Sequence, residues 1–164
     1  MSAGASRAPS YTGRSLRSIP VGPTEPAAVE VFCLPHQMRE EIVSHAQTGF
    51  PEEVCGIISG RGATAVALFR GRNISATPRV AYELDVETLT RQIEFDDLGL
   101  TLAAIYHSHP AGPEIPSETD IRRATYPDSV YLICSLADFA RPSLRGFRIV
   151  AGAVWEVALD EAIT

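Results

Sequence analysis

The chain has 164 residues, 45% of them hydrophobic and 21% charged, with a formal net charge of −6. That size supports one domain around a single core, and no apolar run is long enough to span a bilayer or to act as a secretory signal. An acidic chain without basic runs argues against a nucleic-acid surface, and three widely spaced cysteines, Cys33, Cys55 and Cys134, read as reduced core thiols in a cytoplasmic protein.

Residues 1–27 are rich in Ser, Gly, Pro and Ala and read as a flexible tail, leaving 28–164 as the folded domain. Val29 to Leu34 alternates as a strand does. Pro35 then opens a helix, with Met38, Ile42, Val43 and Ala46 at helical spacing and Gly49 as its stop. His36 and His45 fall on this helix as surface or packing residues. Glu53 to Ser59 reads as a buried strand closed by Gly60-Arg61-Gly62, and a carboxylate at its mouth is costly to bury without a partner. Ala63 to Arg70 is the next strand. Ile74 to Leu84 is extended but broken at Pro78, which suits an edge or a loop. Asp85 caps a helix over Val86 to Leu98, with Leu89, Ile93 and Phe95 or Leu98 toward the core and Gly99 as its end.

Leu100 to Tyr106 is an apolar run that delivers His107 and His109 to the end of a strand. Residues i and i+2 of a strand share a face, so the two imidazoles can converge on one ion. Ser117 is a good N-cap, and Asp120 falls at N3 of the helix it would start, which aims a carboxylate back at the histidines. Two nitrogens and an oxygen with a fourth position open is the composition of a catalytic zinc site. The plain alternative is two polar side chains on a wet strand face. Ser129 to Ser135 is a further strand, and Leu144 to Val150 with Ala153 to Leu159 form a hairpin about Ala151-Gly152. The expected class is α+β, a curved mixed sheet flanked by two main helices and a short one.

His107-Ser108-His109, seven residues, Ser117, two residues and Asp120 resemble the JAMM (MPN-plus) metallopeptidase motif without a departure. Pro51-Glu52-Glu53-Val54-Cys55-Gly56 is similar to the segment carrying that family's catalytic Glu. The resemblance implies a cytidine-deaminase-like JAMM/MPN core in an α/β-like sandwich. It implies one Zn²⁺ held by His107, His109 and Asp120, with Glu53 as general acid–base and Ser117 as oxyanion donor. Ser108, facing the other side of the strand, is expected to be structural. The implied substrate is a peptide or isopeptide bond after the C-terminal Gly-Gly of a ubiquitin-like or sulfur-carrier protein, the tail bound as an added strand between Ile74–Leu84 and Pro110–Pro116. Release of cysteine from a sulfur carrier is one form of this. Removal of ubiquitin-like modifiers from lysines and a non-catalytic MPN scaffold are the alternatives. A zinc base deaminase would need Cys-x-x-Cys, and the chain has none.

Overall fold

The structure, a computed structural model, describes residues 28–161. The tail expected over 1–27 lies outside them. Seven strands alternate with three helices: β1 (Val31–Cys33), α1 (His36–Gly49), β2 (Cys55–Arg61), β3 (Thr64–Arg70), α2 (Val86–Asp97), β4 (Thr101–His109), α3 (Glu118–Arg123), β5 (Val130–Ser135), β6 (Ser143–Val150) and β7 (Ala153–Asp160). No helix among the described residues is long and apolar enough to cross a membrane.

The sheet is mixed, as expected, but it closes on itself in the order β1-β3-β2-β4-β5-β6-β7. The expected sandwich arrangement is not shown beyond this closed mixed sheet and its helices. Three-residue β1 closes the ring, running parallel to β3 through Cys33 and Thr64 and parallel to β7 through Val31 and Ala158. The closure is narrow, since β1 meets β3 only at Thr64 and β7 only at Ala158, Leu159 and Asp160. The Ile74–Leu84 stretch is a loop, held by a single bridge between Asn73 and Leu84.

Strand β5 is buried along its whole length, so consecutive residues serve two different cores. Leu132 and Cys134 pack with Ile42 and Ala46 of α1, while Tyr131 and Ile133 pack with Phe95 of α2 and with Ile57 and Ile105. Helix α2 follows the capping reading: the Asp85 carboxylate accepts the Thr88 N–H, and Gly99 takes a φ of 67° just beyond the end. Ile93 and Leu98, expected in the core, are 68% and 66% exposed. The buried face of α2 runs through Thr88 and Phe95 instead, seven residues apart, which puts Ile93 well off it. Cys55 and Cys134 are buried free thiols, and burial pushes Cys55 up to about 12; Cys33, read as a core thiol, is only half-buried.

Candidate metal centre

Strand β4 pairs parallel with β5, Ser108 beside Cys134 and His109 beside Ser135, and the two histidines sit at their shared carboxyl-terminal end. Ligands of open parallel sheets gather at that end of the strands, where side chains meet the loops that follow. The loop after β4 runs to Ser117, which starts α3 with a complete capping box: its side chain accepts the Asp120 N–H, and the Asp120 carboxylate accepts the Ser117 N–H. Local chemistry thus turns Asp120 toward the histidines.

The three side chains converge in a buried cluster. His107 Nε2 lies 3.0 Å from His109 Nε2, and each sits 3.3 Å from an Asp120 oxygen, Oδ1 and Oδ2 respectively. His109 Nδ1 lies 2.7 Å from the Pro113 carbonyl, which can only accept, so that nitrogen carries the proton and Nε2 presents a lone pair. Burial drives the His107 pKa down, against the pull of Asp120. Burial acts the same way on His109, but hydrogen bonds to Asp120 and the Pro113 carbonyl outweigh it and raise the pKa. For Asp120, bonding to His107, His109 and Ser117 overcomes burial and holds the carboxyl well below its usual range.

Two imidazole nitrogens and a carboxylate that converge this closely in a buried site are arranged as the ligands of one cation would be. Ligand–ligand separations around a tetrahedral zinc are about 3.3 Å for metal–nitrogen bonds near 2.0–2.1 Å. The observed spacings fit that polyhedron, and His107, His109 and Asp120 can hold a metal ion together.

Glu53 stands just before β2, not within it as expected. It is buried and its neighbour Glu52 is exposed. The Glu53 N–H donates to the Pro78 carbonyl at 2.7 Å, and Asn73 Nδ2 donates to the Glu53 carbonyl at 2.9 Å. Among the described residues its Oε2 has no hydrogen-bond partner. Burial, reinforced by Asp120 and opposed by His109, raises its pKa to about 7. His36 is exposed and paired with Glu40 and Glu161, and His45 bonds the Tyr106 hydroxyl at 2.9 Å, so neither joins the cluster.

Several contributors escaped the sequence reading. Tyr82 stacks on the His107 ring, centroids 4.3 Å apart; its placement between buried Ala81 and Leu84 was the available signal. Asn73 ties the Ile74–Leu84 loop by accepting the Ser75 and Glu83 N–H groups and donating to the Ala81 carbonyl. Ser117, which the sequence did single out, lines a groove of about 290 Å³ shared with Glu53, Arg79, Val80 and His109.

Residues 35–150 match the family model described as prokaryotic homologs of the JAB domain. The desampylase of Haloferax volcanii is 43% identical over 104 residues, covering 59% of this chain and 75% of the relative. The CysO-cysteine peptidase of Mycobacterium bovis is 34% identical over 130 residues, covering 78% and 89%. A solution structure of a protein from Desulfitobacterium hafniense superposes with a TM-score of 0.69 at 30% identity, covering 79% of this chain and 91% of that one. The chain belongs to the prokaryotic homologs of the JAB domain and is a peptidase of this JAMM-type family.

Proposed function

We propose that the chain is a zinc-dependent peptidase that hydrolyses the bond after the C-terminal Gly-Gly of a ubiquitin-like or sulfur-carrier protein. The observation that carries this is the pair of facing Nε2 atoms closed by Asp120, with an unpaired Glu53 carboxyl in the adjoining groove. The names of the relatives, a desampylase and a CysO-cysteine peptidase, support the substrate class.

His107, His109 and Asp120 would hold the ion. Zinc there would supply Lewis acidity, lowering the pKa of a water molecule toward about 7 and polarising the scissile carbonyl. Glu53 accepts the proton that the attacking water loses and returns it to the departing nitrogen. The carbon–oxygen bond forms, the carbon–nitrogen bond breaks, and the carrier is left with a terminal carboxylate. Ser117 Oγ already accepts the Asp120 N–H, so its own hydrogen is available to the oxyanion. Pro113 fixes the His109 tautomer, and Tyr82 covers the face of the His107 ring.

A diglycine tail, which presents only backbone, can approach this centre along the Ile74–Leu84 loop without side-chain clash.

The test is intact-mass analysis of a small ubiquitin-fold carrier, extended by one residue after Gly-Gly, incubated with zinc-loaded protein. Conversion to the Gly-Gly form is expected, with loss of turnover when the penultimate glycine is Val. Cleavage of the Val form or of unrelated peptides at a comparable rate would mark a general metallopeptidase. A carrier joined to a lysine side chain, run in parallel, measures the isopeptidase alternative.

A further inference from the structure

Two clefts reach members of the His107–His109–Asp120 cluster, one at Asp120 and one at His109, and they differ in chemistry. One, about 420 Å³, is mainly apolar, walled by Ile74, Tyr82, Leu84, Leu89 and Tyr131, with Asp120 at its edge. The other is the 290 Å³ groove that contains Glu53, Arg79, His109 and Ser117. Glu53 lines only the second. On the reading proposed above, Glu53 protonates the departing nitrogen, so the leaving group exits through that second groove. The apolar cleft is then left for the carrier's tail.

Arg79 lines the exit groove, and it has no ion-pair partner among the described residues. Arg39, Arg70, Arg145 and Arg148 each face a carboxylate. Its backbone is locked to the general base: the preceding carbonyl, of Pro78, accepts the Glu53 N–H, and Val80 and Ala81 donate to the Thr77 carbonyl. A leaving group with a negative charge would otherwise pass Glu53 in a chain of net charge −6, which disfavours it. A single amino acid released after Gly-Gly carries its α-carboxylate one carbon from the departing nitrogen. A lysine released from an isopeptide carries no charge there. We infer that Arg79 binds a free α-carboxylate on the leaving group, so that the preferred substrate ends one residue after Gly-Gly. This rests on the proposed peptidase reading.

The experiment compares two carriers, ending in Gly-Gly-Ala with a free carboxylate or with a carboxamide, in zinc-loaded protein. The kcat/KM ratio of acid over amide is expected to be about tenfold or more, the scale of a charge-assisted hydrogen bond, and to shrink with added salt. In Arg79→Gln the ratio should fall to about one, in Arg79→Lys to an intermediate value. Arg61→Gln, at the far end of β2, should keep the wild-type ratio. Zinc content and circular dichroism confirm that each variant is folded, and the salt dependence needs no variant. A wild-type ratio near one, or a ratio that survives Arg79→Gln, overturns the assignment while leaving the peptidase reading intact. No cleavage of either carrier overturns both.

Discussion

Ser108 and Val54 hold each other at two points: the Ser108 N–H donates to the Val54 carbonyl at 3.0 Å, and the Val54 N–H donates to Ser108 Oγ at 2.9 Å. Ser108 lies between the two histidines and Val54 follows Glu53, so this bond carries the β2–β4 pairing one step past Cys55 and His107. It fixes Glu53 relative to the cluster from the far side of the strand.

Ser108→Ala should therefore lower kcat by about tenfold with zinc content unchanged, and lower stability by about 1–3 kcal/mol, because a buried N–H loses its acceptor. Ser108→Thr, which keeps the oxygen, should recover most of both. Zinc titration, urea melts and kinetics on the two variants check this. Full activity in Ser108→Ala would remove the bond from any role in positioning.

Purified protein should carry about one zinc per chain. Asp120→Ala should cut occupancy and the His107→Ala/His109→Ala pair should abolish it, while His45→Ala should not. Atomic emission on dialysed samples reads this directly. Equal zinc in the double variant and the wild type would sink the metal assignment.

Glu53→Gln should lose at least about 10²-fold in activity, the scale of general acid–base work, and still bind zinc. Glu52→Gln should stay within a few-fold of wild type, since Glu52 is exposed and Glu53 buried. A reversed outcome would assign the base to the wrong carboxylate.

In metal-free protein, Glu53 also sets a pH dependence of stability. Its folded pKa of about 7 lies above the ordinary 4.5, so the folded state holds a proton that the unfolded state releases between those values. Stability contributed by the protonated form is present below pH 4.5 and is lost as pH rises through 7. Glu53→Gln should thus be nearly neutral near pH 4.5 and stabilising above pH 7, on the order of 2–3 kcal/mol for a shift of this size. Urea midpoints of chelator-treated protein at the two pH values decide it; the same difference at both would remove Glu53 as the source.

Local chemistry made much of this molecule legible. Asp85, Ser117 and Asp120 cap helices where their residue types say they should, and Ala151-Gly152, both at positive φ, turn the β6–β7 hairpin. The histidines fell where an apolar strand ran out. What escaped depends on partners distant in sequence. Ring closure is a pairing between the first and last strands, and periodicity says nothing about it. Glu53 owes its place to Pro78, to Asn73 and to the bond that ties its neighbour Val54 to Ser108, partners 20 or more residues away in the chain. Ile93 and Leu98 were apolar yet outward, because the inner face of α2 starts from the Asp85 cap and its buried partner Thr88.

The pairing of β1 with β7 has a topological consequence. Val31 lies beside Ala158 and Cys33 beside Asp160, so the beginning and the end of the described chain are neighbours on one seam. Because the two strands run parallel, a crossover linker of about a dozen residues from Glu161 to Glu30 can join them, and new termini can open at Gly152, where nothing lies within 4 Å of an added Cβ. Such a permutant keeps every strand pair that carries β4 and α3. The order in which this chain is written is thus separable from the arrangement that gathers its histidines.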